Sequence, residues 1–333
     1  MAGDDAIQFG LGEPDFQPPT VAIEEFYNAM LNGHNKYTST AGLPELRRKI
    51  AESWQHLEPG LDESSVCMTM SGTNALLDIF LAIVNPDDEV LIPEPYFPLY
   101  PPDVAICGGR AITYPCRFEN EFVPDVADLE DLVTERTVAV LYNFPSNPTG
   151  ATVDVNQRNK LVSFAAKHDL WIVTDEVYDK IVYSGDHVSF LGAGYDRVIM
   201  LNSFSKTFAM TGWRIGYVLS PNSEAMEQIT KMQYYVTACS NDAMQYAVLS
   251  ALEKASDYPD KMRDELAQGG RIGQMGGTGP NGLPGIPRQA PDGMEFDMRQ
   301  NGGFQPLGAK EKKDDVPAML AKNEFVFTAD AVR

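Results

Sequence analysis

The chain alternates short apolar runs with longer amphipathic stretches from residue 66 onward. Four of the apolar runs lie at 89–92, 137–142, 170–174 and 197–201. Runs this apolar indicate β-strands that are buried on both faces of a sheet. Helical patterns such as 154–168 lie between them, and this strand-helix-strand order predicts an α/β fold with a mainly parallel sheet.

Polar residues follow several of these runs, at the point where each predicted strand ends. Asn147 follows one run, Asp175 ends another, and the segment 203–206 follows a third. In parallel α/β sheets, ligands bind outside the carboxyl ends of the strands. The pattern therefore predicts a binding site at that edge of the sheet.

Length and composition extend this picture. A chain of 333 residues with 44% hydrophobic content can bury a large core, and we expect one large domain with a smaller one. The apolar periodicity from 225 to 257 predicts a long helix that leads out of the large domain. The glycine-dense stretch 269–280 disfavours a helix, since each glycine there costs about 1 kcal/mol relative to alanine.

Charge and residue spacing exclude several classes of partner. A net charge of −21 disfavours nucleic acid and anionic membranes, because both would repel the chain. The N-terminus is acidic and lacks the pattern of a signal peptide, and no apolar run is long enough for a membrane span, so we expect a cytoplasmic protein. The four cysteines and four histidines are dispersed, so we expect no metal site and no disulfide, and we expect the cysteines to be small buried residues.

The most informative motif is the segment 203–214, in which Lys206 lies among small hydroxyl residues and Arg214 follows eight residues later. A lysine acts as a Schiff-base nucleophile when its amine is partly deprotonated, and a nearby arginine together with burial would lower its pKa. The same arginine can bind a phosphate in a bidentate way. Taken alone, the motif leaves open a solvated surface lysine.

Together with the blocks 143–150 and 174–178, this segment resembles the class I/II aminotransferases, which are fold-type I enzymes that use pyridoxal 5'-phosphate (PLP). The resemblance implies a large α/β/α domain with a mainly parallel, seven-stranded type of sheet and a smaller α+β domain built from both termini. It implies an N-terminal arm and part of the small domain at 1–45, the large PLP-binding domain at 46–250 and an incomplete small domain at 251–333. It also implies a role in amino acid metabolism, as part of a biosynthetic process.

The resemblance assigns the chemistry to named residues. Lys206 would form the internal aldimine and then move the proton as a general base. Asp175 would face the pyridine nitrogen and keep it protonated. Tyr178 and Asn147 would donate hydrogen bonds to the phenolic oxygen of the cofactor. The alternative for Asp175 is a strand-end or helix-capping carboxylate. Without the motif, Tyr178 would be a half-buried aromatic and Asn147 a turn residue before proline.

The resemblance also implies a phosphate site. The turn 71–77 connects a strand to a helix, and Gly72, Thr73 and Asn74 would present backbone N–H groups and the helix dipole to an anion. Ser203 and Arg214 would complete it. In the proline-rich turn 93–98, Tyr96 would be the aromatic residue that stacks on the cofactor ring, and Phe97 is a possible substitute. The alternative is that Tyr96 is a core aromatic.

Two residues of the N-terminal region match further family positions. Tyr37 resembles the tyrosine that reaches the phosphate of a neighbouring subunit, which implies a homodimer with shared active sites. Gly12 resembles the glycine whose backbone contacts the substrate carboxylate, and Asn147 would join it in binding substrate. A plain turn explains Gly12 equally well.

The C-terminal region departs from the family pattern. Relatives hold the substrate carboxylate with a second arginine near the C-terminus, and Arg333 falls before the position expected for it. Arg299 or Arg288 could substitute only in a rebuilt small domain. A missing clamp would remove a charge-assisted pair. Three hypotheses follow: an aminotransferase that acts on an amino acid and a 2-oxo acid by a ping-pong mechanism, another PLP reaction such as β-elimination, and a PLP-binding protein without turnover. The sequence does not identify the substrate side chain.

Overall fold

A computed structural model describes residues 12–267, 286–290, 293–298 and 318–320. Its contact pattern divides the chain into two units, one formed by 17–259 and the other by 1–16 with 260–333. The domain boundaries predicted from the sequence, at residues 45 and 250, stay a prediction.

The strands of the first unit form one seven-stranded sheet. In chain order the strands are β1 (Val66–Thr69), β2 (Glu89–Glu94), β3 (Arg110–Pro115), β4 (Thr137–Asn143), β5 (Trp171–Asp175), β6 (Val198–Ser203) and β7 (Gly216–Leu219). The second unit contains a three-stranded sheet of β8 (Ile286–Ala290), β9 (Gly293–Met298) and β10 (Ala318–Leu320), in which β9 is the central strand.

The helices alternate with the strands along the first unit. They are α1 (Thr20–Leu31), α2 (Pro44–Trp54), α3 (Gly72–Ile83), α4 (Tyr100–Ile106), α5 (Val126–Glu130), α6 (Val155–Lys167), α7 (Phe204–Thr207), α8 (Ser223–Thr237) and α9 (Asp242–Lys254). Helix α10 (Tyr258–Ala267) begins at the end of the first unit and continues into the second. Short 3-10 turns lie at Glu63–Ser65, Phe118–Asn120 and Thr211–Trp213.

The strand order is β1-β7-β6-β5-β4-β2-β3. The pairs β2–β3, β2–β4, β4–β5 and β5–β6 are parallel, whereas β7 runs antiparallel to both of its neighbours. This confirms the predicted α/β fold with a mainly parallel sheet of seven strands. All four predicted strands are present, each within three residues of its predicted ends.

The sheet is covered on both faces, as the apolar runs predicted. Along β4, Val140 and Tyr142 belong to one buried cluster, while Ala139 and Leu141 belong to the other. Successive side chains of a strand point to opposite faces, so two apolar clusters require helices on both sides. The same alternation occurs along β5 and β6. The result is an α/β/α sandwich.

The prediction of one long helix from 225 to 257 is wrong, because the chain forms two helices there. Helix α8 ends at Thr237, and Ala238 has a positive φ of 66°. Asn241 then caps α9, since its side chain accepts a hydrogen bond from the N–H of Met244 at 3.0 Å. The segment contains neither glycine nor proline, so its periodicity runs on across the break.

Two further expectations concern the cysteines and the termini. Cys67 and Cys116 are buried, as expected, but Cys107 and Cys239 are half-buried. Helix α1 occupies part of the N-terminal region, where the sequence analysis makes no separate helix prediction, and it packs against α9. Within the residues that the structure describes, no helix is long and apolar enough to cross a membrane.

Candidate active site

The carboxyl ends of β1, β6, β5 and β4 lie along one edge of the sheet, as the parallel arrangement requires. Thr69 of β1 and Ser203 of β6 both pair with Gly216, the first residue of β7. Asn143 pairs with Asp175 at the ends of β4 and β5. The turns that follow these strands are therefore neighbours, and they contain most of the predicted site residues.

An anion-binding turn connects β1 to α3. Buried Ser71 caps α3, because its hydroxyl accepts a hydrogen bond from the N–H of Asn74 at 3.0 Å. The Asn74 side chain in turn accepts from the N–H of Met70 at 3.0 Å and donates to Asp78 at 3.1 Å. These bonds fix the turn, and the first turn of a 12-residue helix presents N–H groups and a positive dipole end.

Two glycines bring this turn against the neighbouring strands. A Cβ on Gly216 would lie 2.8 Å from the backbone nitrogen of Gly72 and from the carbonyl oxygen of Asn202. A Cβ on Gly72 would lie 3.5 Å from the Cβ of Ser203 and 3.4 Å from a methyl group of Val177. The start of α3 is thus within contact distance of the turns that follow β6 and β5.

The turn after β6 contains the predicted lysine. Lys206 lies in α7, and Ser203 caps this helix by accepting a hydrogen bond from the N–H of Ser205 at 3.1 Å. The hydroxyls of Ser203 and Ser205 are 2.8 Å apart. Lys206 is half-buried, and its Nζ lies 5.8 Å from the centroid of the Tyr178 ring.

Arg214 lies at the entry to β7, two residues before Gly216. It is exposed, has a left-handed backbone with φ 54°, and donates from Nη1 to the carbonyl of Thr211 at 2.7 Å. Its position before Gly216 places it next to the edge at which Ser203 ends β6. A guanidinium at this corner adds positive charge near the N-terminus of α3.

Asp175 ends β5 as a buried carboxylate, 8% exposed. Its Oδ2 accepts a hydrogen bond from the hydroxyl of Tyr100 at 2.8 Å, and its Oδ1 accepts from the N–H of Val177 at 3.2 Å. Burial raises the pKa of Asp175 to about 6, although the two hydrogen bonds lower it. The charge of Glu176 makes a smaller contribution that also raises this pKa. At neutral pH the carboxylate is therefore mainly ionised.

The turn after β4 is fixed by Asn143, which sequence reasoning missed as a supporting residue. Its side-chain amide donates to the backbone carbonyl of Asp175 at 3.0 Å, and its side-chain oxygen accepts from the N–H of Asn147 at 2.7 Å. Asn143 therefore holds the predicted residues Asp175 and Asn147 in one arrangement. Its position at the start of the block 143–150 was the available signal, but the sequence does not say what it contacts.

Tyr178 is half-buried in the turn after β5. Burial and then the negative charge of Asp175 raise its pKa, so the hydroxyl stays protonated at neutral pH and can donate a hydrogen bond. This turn also contains Glu176, which is fully buried and accepts from Thr174 at 3.0 Å and from the N–H of Phe190 at 3.1 Å.

His187 lies 2.7 Å from the other oxygen of Glu176. Burial lowers the pKa of His187, but the hydrogen bond and the charge of Glu176 outweigh this effect and leave the pKa raised. The pair fastens the turn that contains Asp175 and Tyr178 to the segment around Phe190. A lone histidine eleven residues after Glu176 offers no sequence signal for this contact.

The structure does not test the remaining predicted roles. Tyr96 is half-buried, and Phe97 packs edge-on against the ring of Tyr100 with centroids 5.6 Å apart. Tyr37 is 91% exposed, and Gly12 belongs to the second unit. Thr73 is exposed at the start of α3. Arg299 and Arg333 lie outside the described residues, as does the stretch 269–280, and only the backbone of Arg288 is described, in β8.

The arrangement has a distinct chemical character at each end. N–H groups, hydroxyls and Arg214 lie around the carboxyl ends of β1 and β6 and the start of β7, where they suit a phosphate. A buried carboxylate ends β5, where it suits a cationic nitrogen. The amine of Lys206 lies on the turn between these two ends. Among the described residues, no group of three His, Cys, Asp or Glu side chains could hold a metal ion.

Comparisons with known proteins agree with this geometry. The model of the family "Aminotransferase class I and II" matches residues 4–270. The chain is 36% identical to the aspartate aminotransferase of Thermotoga maritima over 77% of the chain and 68% of that protein. It is 38% identical to the aromatic-amino-acid aminotransferase 2 of Thermococcus litoralis over 78% of the chain and 68% of that protein.

A solved structure shows the same similarity in three dimensions. The structure of the aromatic aminotransferase from Pyrococcus horikoshii matches with a TM-score of 0.75 and 35% identity. The match covers 80% of the chain described here and 72% of the P. horikoshii chain. The two proteins are therefore similar in sequence as well as in fold.

Proposed function

Because the chain belongs to the aminotransferase class I and II family, we propose that it moves an amino group from an amino acid to a 2-oxo acid by a ping-pong mechanism in which Lys206 holds the cofactor. The protein is a PLP-dependent aminotransferase of fold type I. One observation supports the proposal above all others: Lys206 lies on the turn between the donor-rich start of α3 and buried Asp175, with its Nζ 5.8 Å from the Tyr178 ring centroid.

The donor set fits the phosphate of PLP. The backbone N–H groups of Gly72 and Thr73 would bind phosphate oxygens at the start of α3, where Asn74 fixes the turn. Ser203 would donate its hydroxyl, and Arg214 would turn from the carbonyl of Thr211 to the anion. Because Gly216 has no side chain, its strand can lie against this turn, where a Cβ would be 2.8 Å from the nitrogen of Gly72.

Lys206 would have two tasks. Its Nζ would hold the aldehyde carbon of the cofactor and, after an amino acid displaces it, would move the proton from the α-carbon of the substrate. The cofactor supplies an aldehyde that takes up the amino group and a ring that accepts electrons from the α-carbon. Lys206 is half-buried, and its Nζ lies 5.8 Å from the centroid of the Tyr178 ring, on the same edge of the sheet as Asp175.

Asp175, Tyr178 and Asn147 would orient the ring. Asp175 would bind and stabilise the protonated ring nitrogen, since a buried carboxylate is stabilised by a cationic partner. Tyr178 and Asn147 would donate hydrogen bonds to the phenolic oxygen, and Asn147 would also contact the substrate. Tyr96 would stack on the ring, and Gly12 would bind the substrate carboxylate through its backbone.

A second copy of the chain would complete the site. Large apolar side chains are exposed on α1, at Tyr37 and on α8, and a partner would cover them: Tyr27, Leu31, Tyr37, Tyr234 and Tyr235. Met30 of α1, Tyr37 and Thr237 of α8 line one cavity. Exposed apolar side chains that lie together mark an interaction surface. We propose a homodimer in which Tyr37 reaches the phosphate of the partner's site. The cytoplasmic location expected from the N-terminal sequence stays a prediction.

The proposal is tested by the absorption spectrum of the protein with PLP, before and after amino acids are added, followed by detection of the 2-oxo acid product. Aspartate and the aromatic amino acids enter the panel first, because the relatives are named for them. Lys206→Ala removes the amine, and Lys160→Ala removes an exposed lysine of α6 as the matched control.

We expect a cofactor band that is present in wild type and Lys160→Ala, absent in Lys206→Ala, and converted by a donor amino acid together with release of its 2-oxo acid. Release of ammonia and a product lacking a β-substituent would instead indicate elimination. A Lys206-dependent band that no amino acid changes would indicate cofactor binding without turnover.

A further inference from the structure

Tyr100 is buried beside the carboxylate that ends β5. Its side chain is 1% exposed, and its hydroxyl donates to Oδ2 of Asp175 at 2.8 Å. The residue begins α4, on the chain segment that follows β2, and the ring of Phe97 packs against it at 5.6 Å between centroids. The tyrosine is therefore held in place from its own segment, and its hydroxyl is directed at one carboxylate oxygen.

The charged and titratable groups around this carboxylate belong to several elements. On its own turn, Glu176 is an adjacent carboxylate engaged by His187, and Tyr178 is a protonated phenol. From α4 comes Tyr100, and from β3 comes Tyr114, whose hydroxyl donates instead to the carbonyl of Leu141 at 2.7 Å. From α7 comes Lys206, 5.8 Å from the ring of Tyr178.

A buried carboxylate in these surroundings tends to take up a proton, because burial penalises its charged form. A protonated Asp175 would lose its negative charge, so it would no longer stabilise the positive charge of a protonated ring nitrogen. A neutral hydrogen-bond donor that does not itself ionise stabilises the ionised carboxylate and so opposes this protonation. It adds no positive charge that would compete with the ring nitrogen for the carboxylate. The buried phenol meets that requirement, because burial and then the charge of Asp175 raise its own pKa well above the usual range.

We propose that Tyr100 is a positioning residue that keeps Asp175 ionised and orients its carboxylate toward the ring nitrogen of the cofactor. The inference rests on the role of Asp175 given under Proposed function. Tyr100 occupies Oδ2, and Val177 constrains Oδ1 from the backbone at 3.2 Å, so the carboxylate has a fixed orientation before any ligand binds.

The chain offers a matched pair of variants for a test. Tyr100→Phe removes the hydroxyl that contacts Asp175. Tyr114→Phe removes a hydroxyl from a tyrosine that is equally buried, at 1% exposure, but that contacts a backbone carbonyl. Both variants lose one buried hydrogen bond, so a general effect on stability appears in both, whereas an effect through the carboxylate appears in Tyr100→Phe alone.

The first readout does not require cofactor. Aspartate labelled with carbon-13 at the side-chain carboxyl reports the titration of Asp175 in the cofactor-free protein by NMR, and Asp175→Asn identifies the signal. We expect Tyr100→Phe to raise the pKa of Asp175 by about one pH unit and Tyr114→Phe to leave it unchanged. Equal titration curves in wild type and Tyr100→Phe would overturn the proposal.

The second readout is the ratio of PLP dissociation constants, Tyr100→Phe over wild type, across pH. A one-unit rise from a pKa of about 6 predicts a ratio of about fivefold at pH 6 that falls close to one at pH 8, because the ionised fractions converge. Titration of the cofactor itself cancels in the ratio. A ratio that is constant with pH, or equal to that of Tyr114→Phe, would contradict the proposal.

The two readouts separate this inference from the proposed function. If Asp175→Asn binds PLP as tightly as wild type, the role assigned to Asp175 fails, whatever Tyr100 does. If Asp175→Asn weakens binding and Tyr100→Phe matches wild type in both readouts, the role of Asp175 stands and that of Tyr100 fails.

Discussion

The two ends of the candidate site are prepared by the protein in different ways. At the end of β5, Asp175 is buried and fixed by Tyr100, and Asn143 holds the backbone behind it. At the end of β1 and β6, the groups suited to a phosphate are backbone N–H groups, the buried hydroxyl of Ser203 and the exposed side chains Thr73 and Arg214. The charged group of the first end is buried, whereas the charged group of the second end, Arg214, is exposed.

The difference follows from what each end would bind. A buried charge is costly unless hydrogen bonds surround it, so the carboxylate requires a built environment. A phosphate is already well solvated, and a helix N-terminus with an arginine at the surface binds it without deep burial. The variants below test whether the two ends respond as differently as this account requires.

Asp175→Asn should have the largest effect. The amide keeps the shape and can still accept from Tyr100, but it cannot stabilise a protonated ring nitrogen. We expect kcat/KM for transamination to fall by about 10²- to 10³-fold with little loss of folding stability. The control is Asp179→Asn, a buried carboxylate on the same turn, which should retain most activity. Equal losses in the two variants would mean that the turn, and not the charge of Asp175, controls the rate.

Gly216→Ala tests the backbone geometry of the phosphate end. The new Cβ would lie 2.8 Å from the nitrogen of Gly72, which is backbone and cannot move aside cheaply. We expect a loss of about 1–3 kcal/mol in the free energy of unfolding and weaker PLP binding. Gly212→Ala is the matched control in the same loop, because a Cβ there would meet nothing within 4 Å. Denaturant unfolding and PLP titration measure both effects, and two variants that behave alike would refute the close-contact argument.

Arg214→Ala should have a smaller effect confined to cofactor affinity. Arg214 is exposed, so its removal leaves no buried group without a partner. The dissociation constant of PLP should rise by about tenfold and the rate of the saturated enzyme should change little. Arg214→Lys should recover part of the affinity, since charge remains but the bidentate geometry does not. A fall in kcat at saturating PLP would place Arg214 in the chemistry instead.

Glu176→Gln should have the smallest effect, visible as a change in pH dependence. The pKa of His187 is raised in the folded protein, so its pairing with Glu176 stabilises fully below the unfolded pKa of about 6.5 and is lost as pH rises through the folded value. The variant should lose this contribution, so its unfolding free energy should fall less steeply over that window than that of wild type. Parallel stability curves in the two proteins would show that the pair does not act as a titrating unit.

Much of the fold follows from the chain itself, and much of the site does not. The apolar runs predicted four strands, and Asp154 marked the start of α6, where its side chain accepts from the N–H of Gln157 at 2.8 Å. Such signals are local. The break at Ala238 was missed because a positive φ in an alanine leaves no mark in the apolar pattern.

The supporting contacts of the site are long-range, and this explains why they escaped prediction. Tyr100 and Asp175 are 75 residues apart in sequence, and Asn143 and Asp175 are 32 apart. Asn143 meets Asp175 because β4 pairs with β5, and Tyr100 reaches Asp175 from the start of α4, which follows β2. Motifs identify the residues that match a known chemistry, whereas the residues that fix them become visible once register and strand order are known.

The most direct test of the central claim is the location of the cofactor on the chain. The protein loaded with PLP is reduced with borohydride, which fixes the cofactor to the amine that holds it, and is then digested and analysed by mass spectrometry. The account predicts that the cofactor mass lies on the peptide that contains Lys206 and is lost in Lys206→Ala. A cofactor found on another lysine in wild type, or on no lysine at all, would contradict the account.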